Sequence, residues 1–135
     1  MVEDSERLAS EVRACRLCEA HLPLGPRPVF QWSPAARILV VGQAPGTRVH
    51  ATGIPFNDPS GDRLREWMGL SREQFYDSRL VALLPMGFCY PGRGRGGDLP
   101  PRPECAATWR SRLLAPMQSI ALTLALGDYA QRFHL

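Results

Sequence analysis

The sequence predicts an α/β fold, a three-layer αβα arrangement around a central and mainly parallel sheet. Three observations lead there. Short apolar runs recur as ARILVVG (36–42), RLVALLPM (79–86) and SIALTLALG (119–127). Helical patterns or helix caps separate and follow these runs, giving strand–helix alternation. The chain has 135 residues, enough for one core and hence one domain over 1–135. In such a sheet the crossovers place the strand C-terminal ends on one edge, so loops at Gly42, Pro85 and Gly127 share the edge where ligands bind.

Taken in order, residues 3–14 read as a helix with Leu8 and Val12 on one face and acids in the first turn. Four prolines make 20–34 an irregular arm. After the first strand, 43–57 reads as loop. Asp58 then offers an N-cap with Pro59 at the first helical position, and Leu64, Trp67 and Met68 give the following helix an apolar stripe. A helical turn over 71–77 precedes the second strand. Residues 87–103 are a Gly/Pro/Arg loop, 104–117 a helix despite Pro116, and 128–135 a short last helix. Three strands are few for a doubly wound sheet, so the expectation is a C-terminally incomplete frame or an unusually small fold.

Apolar residues make up 44% and charged residues 21%, ordinary for a water-soluble domain. No stretch approaches the roughly 18 apolar residues of a membrane span. The acidic, polar N-terminus does not fit a secretory signal. A cytoplasmic monomer with no membrane partner is expected. All 16 basic residues are arginine and the net charge is +3. Seven of them fall in 79–135 against Asp98, Glu104 and Asp128. Arginine-rich loops beside a cleft suit phosphate.

The loop after the first strand reads GQAPGTRVHATGIPF (42–56). It lacks the G-x-G-x-x-G of a dinucleotide site and the GK[ST] of a phosphate loop. Two readings remain: a structural turn in which glycine supplies positive φ, or a proline-shaped turn that offers backbone N–H groups to a ligand. Extended to Leu64, the stretch GQAPGTRVHATGIPFNDPSGDRL resembles the first motif of the uracil-DNA glycosylase superfamily, Gly-x-x-Pro-Gly and then Gly-x-Pro-Phe before a helix. LLPMGFCYPGRGRGGDLPPRPECAATWRSRLL resembles the segment that carries two cysteines in the iron–sulfur, family 4-like branch of that superfamily.

That resemblance implies a DNA repair enzyme that hydrolyses the N-glycosidic bond of a uracil flipped out of DNA. It makes Phe56 the platform under the base. It places the N–H groups of Gln43 and Ala44 near the uracil carbonyls, and lets Gly42, Pro45 and Gly46 shape the turn against deoxyribose and phosphate. Gln43 stands where the branch often has Glu; it can orient a water but cannot take its proton. No acid lies between Gly42 and Phe56, which leaves His50 as a candidate base and Asn57 as a candidate contact to the uracil edge. The superfamily's C-terminal His-Pro-Ser-like motif has no counterpart before Leu135. A catalytically impaired DNA-binding or iron–sulfur-carrying remnant is therefore the alternative to an active enzyme.

Four cysteines occur at Cys15, Cys18, Cys89 and Cys105. Four thiols serve a [4Fe–4S] cluster or a structural zinc, or simply pack. The resemblance implies the cluster, clamping the N-terminal arm and the 87–104 loop to the sheet edge. Arg93, Arg95 and Arg102 would then be presented toward DNA phosphate.

Overall fold

The computed structural model describes residues 5–134. A parallel three-stranded sheet of order β2-β1-β5 forms the middle layer, built from β1 (Ile38–Val41), β2 (Val81–Leu83) and β5 (Leu122–Ala125). Strand β1 is central, pairing Ile38 with Val81 on one side and with Leu122 on the other. The period of two in a strand divides its side chains between the faces. Leu39, Val41, Ala82 and Leu84 join α1 (Ser5–Arg13), Phe30, Trp32, Trp109 and Leu113 in one core cluster. Val40, Val81 and Leu83 pack on Leu64 and Phe75 in the other. Helices therefore cover both faces, as the sequence predicts.

The strands are shorter than the apolar runs that announce them. At β2 the arm occupies the outer edge. Gln31 and Leu83 exchange backbone hydrogen bonds at 2.9 and 2.8 Å, so the arm closes that sheet edge as an antiparallel bridge. On the opposite edge β5 is half open, and Leu122 is 49% exposed.

The loop 43–57 contains a helix, α2 (Thr47–Thr52), which the sequence does not announce. Six residues with one buried apolar side chain, Val49, carry no periodicity. The helix is instead set by its ends: Gly46 is its extended N-cap, and Gly53 closes it at φ 71°. Helix α3 (Pro59–Met68) begins as expected, with Asp58 accepting the Gly61 N–H at 2.8 Å. Its buried face keeps Leu64 and Met68 of the predicted stripe but takes Arg65 in place of Trp67. Gly61, Leu64 and Arg65 point inward, while Trp67 is 78% exposed. Arg65 takes the inner position because its guanidinium lies over the Phe75 ring at 5.2 Å and pairs with Asp62.

After α4 (Arg72–Phe75) and β2, the Gly/Arg loop folds into a small hairpin of β3 (Arg93–Gly94) and β4 (Gly97–Asp98). The next helix is one rod in three parts: α5 (Pro103–Cys105), a π-helical turn (Ala106–Arg110) and α6 (Ser111–Leu114). It stops before Pro116 rather than passing it. Helix α7 (Asp128–His134) follows β5. No helix among the described residues is long and apolar enough to cross a membrane.

Candidate base-binding cleft and four-cysteine site

Because the three strands are parallel, the exits of β1 and β2 meet at one edge. Met86 N–H donates to Gly42 O at 2.9 Å and Gly87 N–H to Gln43 O at 3.0 Å. These bonds turn the carbonyls of Gly42 and Gln43 toward the β2 exit. The N–H groups of Gln43 and Ala44 make no hydrogen bond among the described residues. A cleft of about 170 Å³ opens there, lined by Gly42, Gln43, Ala44, Pro45 and Gly46 on one side and by Pro55, Phe56, Asp58 and Ser60 on the other.

Phe56 is fixed in this cleft by its neighbours. Its φ is 57°, a left-handed conformation that costs a bulky residue energy. Three contacts hold it there. The ring meets Phe75 edge-on at 6.1 Å, and its tip lies 3.1 Å from where a Cβ on Gly42 would sit. A Cβ on Gly61 would overlap the Phe56 carbonyl oxygen, so the first turn of α3 can approach only as glycine.

Not every predicted site residue enters the cleft. His50 does not line it; on α2 its ring stands 6.3 Å from Tyr90. Burial, then the Arg27 charge, hold its pKa below the ordinary histidine value, and its Nδ1 is buried with no hydrogen-bond partner among the described residues. Helix α2, which the sequence does not announce, carries this residue outside the set that lines the cleft. Asn57 is also outside, with its Oδ1 accepting from Arg72 at 3.1 Å. The residue that sequence reasoning set aside is Asp58. Its Oδ1 caps α3, as expected, and yet the residue also lines the cleft. The signal was available, since a cap two residues beyond Phe56 stays within reach of its backbone. One role simply hid the other.

The four cysteines gather at a second place. Cys15 follows α1, Cys18 precedes a 3-10 turn (Glu19–His21), Cys89 follows the β2 exit, and Cys105 ends α5. All four line one cavity of about 20 Å³, walled by Leu17, Leu22, Phe88 and Trp109. Each is a free thiol. Burial pushes Cys89 up to about 11 and Cys105 up to about 12, and raises Cys18 as well. Cys105 Sγ accepts the Phe88 N–H at 3.3 Å. All four cysteines are thus neighbours of one largely apolar cavity. No three His, Cys, Asp or Glu side chains among the described residues are gathered to hold a single metal ion.

The arginines divide between the two places. Arg93 and Arg95 are exposed on the hairpin. The Asp98 carboxylate of the same hairpin lies 3.7 Å from where a Cβ on Gly46 would sit, so the hairpin stands beside the cleft loop. Arg102, the third arginine expected to face phosphate, lines the cysteine cavity and is paired with Glu104 at 2.7 Å. That pairing holds the Glu104 carboxyl below its usual range, and the Cys18 thiol lies 3.9 Å from the same carboxylate.

The cleft thus joins a turn with free amides after the central strand, an aromatic residue of strained backbone and a capped helix. The model of the Uracil DNA glycosylase superfamily matches residues 30–135, which include the cleft, the hairpin, Cys89 and Cys105. The chain belongs to the uracil-DNA glycosylase superfamily.

Proposed function

We propose that this chain hydrolyses the N-glycosidic bond of a uracil flipped out of DNA into the Gly42–Asp58 cleft. The observation that carries the reading is the pair of unbonded N–H groups at Gln43 and Ala44 opposite the Phe56 ring. Uracil stacks on Phe56, and the two amides donate to its carbonyl oxygens. As the C1′–N1 bond breaks, its electron pair goes to the uracil ring, leaving an oxocarbenium-like sugar. Fixed amide dipoles stabilise the departing anion without having to reorganise. Asp58 is the acidic residue among those that line the cleft, and in this reading its second carboxylate oxygen orients the water that adds to C1′ and accepts its proton. Arg93 and Arg95 carry the neighbouring phosphates.

The cysteine cavity belongs to the same reading. Zinc needs four ligands about one centre at roughly 2.0–2.3 Å, whereas each iron of a [4Fe–4S] cluster takes one thiolate. Four cysteines brought to one largely apolar cavity support the cluster, with one thiolate available to each iron. When bound, the cluster supplies a cross-link between the N-terminal arm and the β2 exit, with no step in the bond cleavage.

Incubation with an oligonucleotide carrying one uracil, followed by alkali, tests the activity. Strand scission at the uracil position is expected from the wild type. Asp58→Asn, which keeps the helix cap, is expected to be about 100-fold slower or worse. An intact strand at excess protein overturns the glycosylase reading and leaves a DNA-binding, cluster-carrying remnant.

A further inference from the structure

Arg110 is a buried cation with no part in the bond cleavage above. It is 1% exposed and, among the described residues, no carboxylate pairs with it. Its planar fork is satisfied otherwise. One arm donates to Pro85 O and the other to Leu84 O, both at 3.0 Å, and Nε approaches His134 Nε2 at 3.2 Å. Phe133 lies over the guanidinium at 5.6 Å. Burial pushes the group down to about 10, so it stays charged at neutral pH.

The segment it grips is the one that shapes the cleft. Leu84 and Pro85 accept from Arg110, and the next two residues donate to Gly42 and Gln43. The residue after those, Phe88, donates its N–H to Cys105 Sγ. Five consecutive residues thus carry hydrogen bonds to a buried arginine, to the base-binding turn and to the cysteine site. The helical rod makes this possible. In an α-helix, residues five apart lie about 140° apart around the axis. The wider π-turn between Cys105 and Arg110 brings them back toward one face, so both reach the same segment.

We infer that Arg110 is a positioning residue, which with Cys105 clamps the 84–88 segment and so holds the Gln43 and Ala44 amides in register with the base. The catalytic part of this inference rests on the glycosylase reading; the mechanical part does not. Lysine keeps the charge but lacks the rigid fork that spans two carbonyls. The test uses the full chain as Arg110→Met and Arg110→Lys. Amide hydrogen exchange is read at Met86 and Gly87 relative to Leu39 and Val40 in β1, together with kcat and KM on a uracil oligonucleotide.

In Arg110→Met the two amides are expected to exchange about tenfold faster, relative to β1, than in the wild type. Turnover is expected to fall through kcat, with KM little changed, and Arg110→Lys to lie between the two. An unchanged exchange ratio in Arg110→Met overturns the clamp, because the arginine would then only stabilise the whole fold. If Arg110→Met fails to fold, Arg110→Lys decides, and wild-type exchange at both amides overturns the inference. Absence of uracil excision by the wild type would remove the glycosylase reading yet leave the exchange result to judge the clamp.

Discussion

At Asp58, one carboxylate oxygen holds the Gly61 N–H and the residue lines the cleft, so two substitutions separate structure from chemistry. Asp58→Ala is expected to lose the cap, about 1 kcal/mol, along with the carboxylate. Asp58→Asn should lose the activity alone, since Asn caps as well as Asp; thermal unfolding and scission rates on the same samples distinguish them. His50 presents the opposite case. Its pKa and that of His134 are both depressed, chiefly by burial, so the unfolded chain takes up protons before the folded one does. Stability is therefore full above about pH 6.5 and declines as pH falls through that value. His50→Phe should flatten the fall in Tm between pH 7 and 5 while leaving uracil excision unchanged. A large loss of turnover would restore a catalytic role to His50.

Among the elements, the turn from Phe56 into α3 carries the tightest constraint. A methyl at Gly61 has no room beneath the Phe56 carbonyl, whereas Gly69, at φ 67°, has open space around it. Gly61→Ala should cost about 3 kcal/mol or more, and Gly69→Ala only about 1 kcal/mol of backbone strain, both read by denaturant unfolding. This turn was legible because Asp58 and Pro59 are strong local signals. Helix α2 was not, since its glycine ends and one apolar residue resemble a loop. Trp67 misled through its hydrophobicity, because the inner place at that turn went to Arg65, whose charge is absorbed by Asp62 and aromatic faces. The π-turn leaves no mark in sequence at all. It becomes visible only when Arg110 is seen reaching back to Leu84 and Pro85.

For the whole molecule, the sheet and its functional edge were readable from three apolar runs, and the cleft from one motif. The cysteine site was readable only as spacing: residues 15 and 105 meet because the arm folds back along β2, a tertiary event no local pattern encodes. An anaerobic preparation is expected to be brown with about four irons per chain, and Cys89→Ser to lose colour and Tm together. A colourless protein with one zinc would overturn the cluster. Arm, sheet edge and helical rod all converge on the 84–88 segment, which links the cysteines to the turn that faces Phe56. The central claim is that this turn serves a base that leaves DNA. Free uracil released from a uracil-containing oligonucleotide, quantified by mass spectrometry against the abasic sites formed, tests it most directly. One uracil per abasic site is predicted; DNA that binds the protein and yields no free base would contradict it.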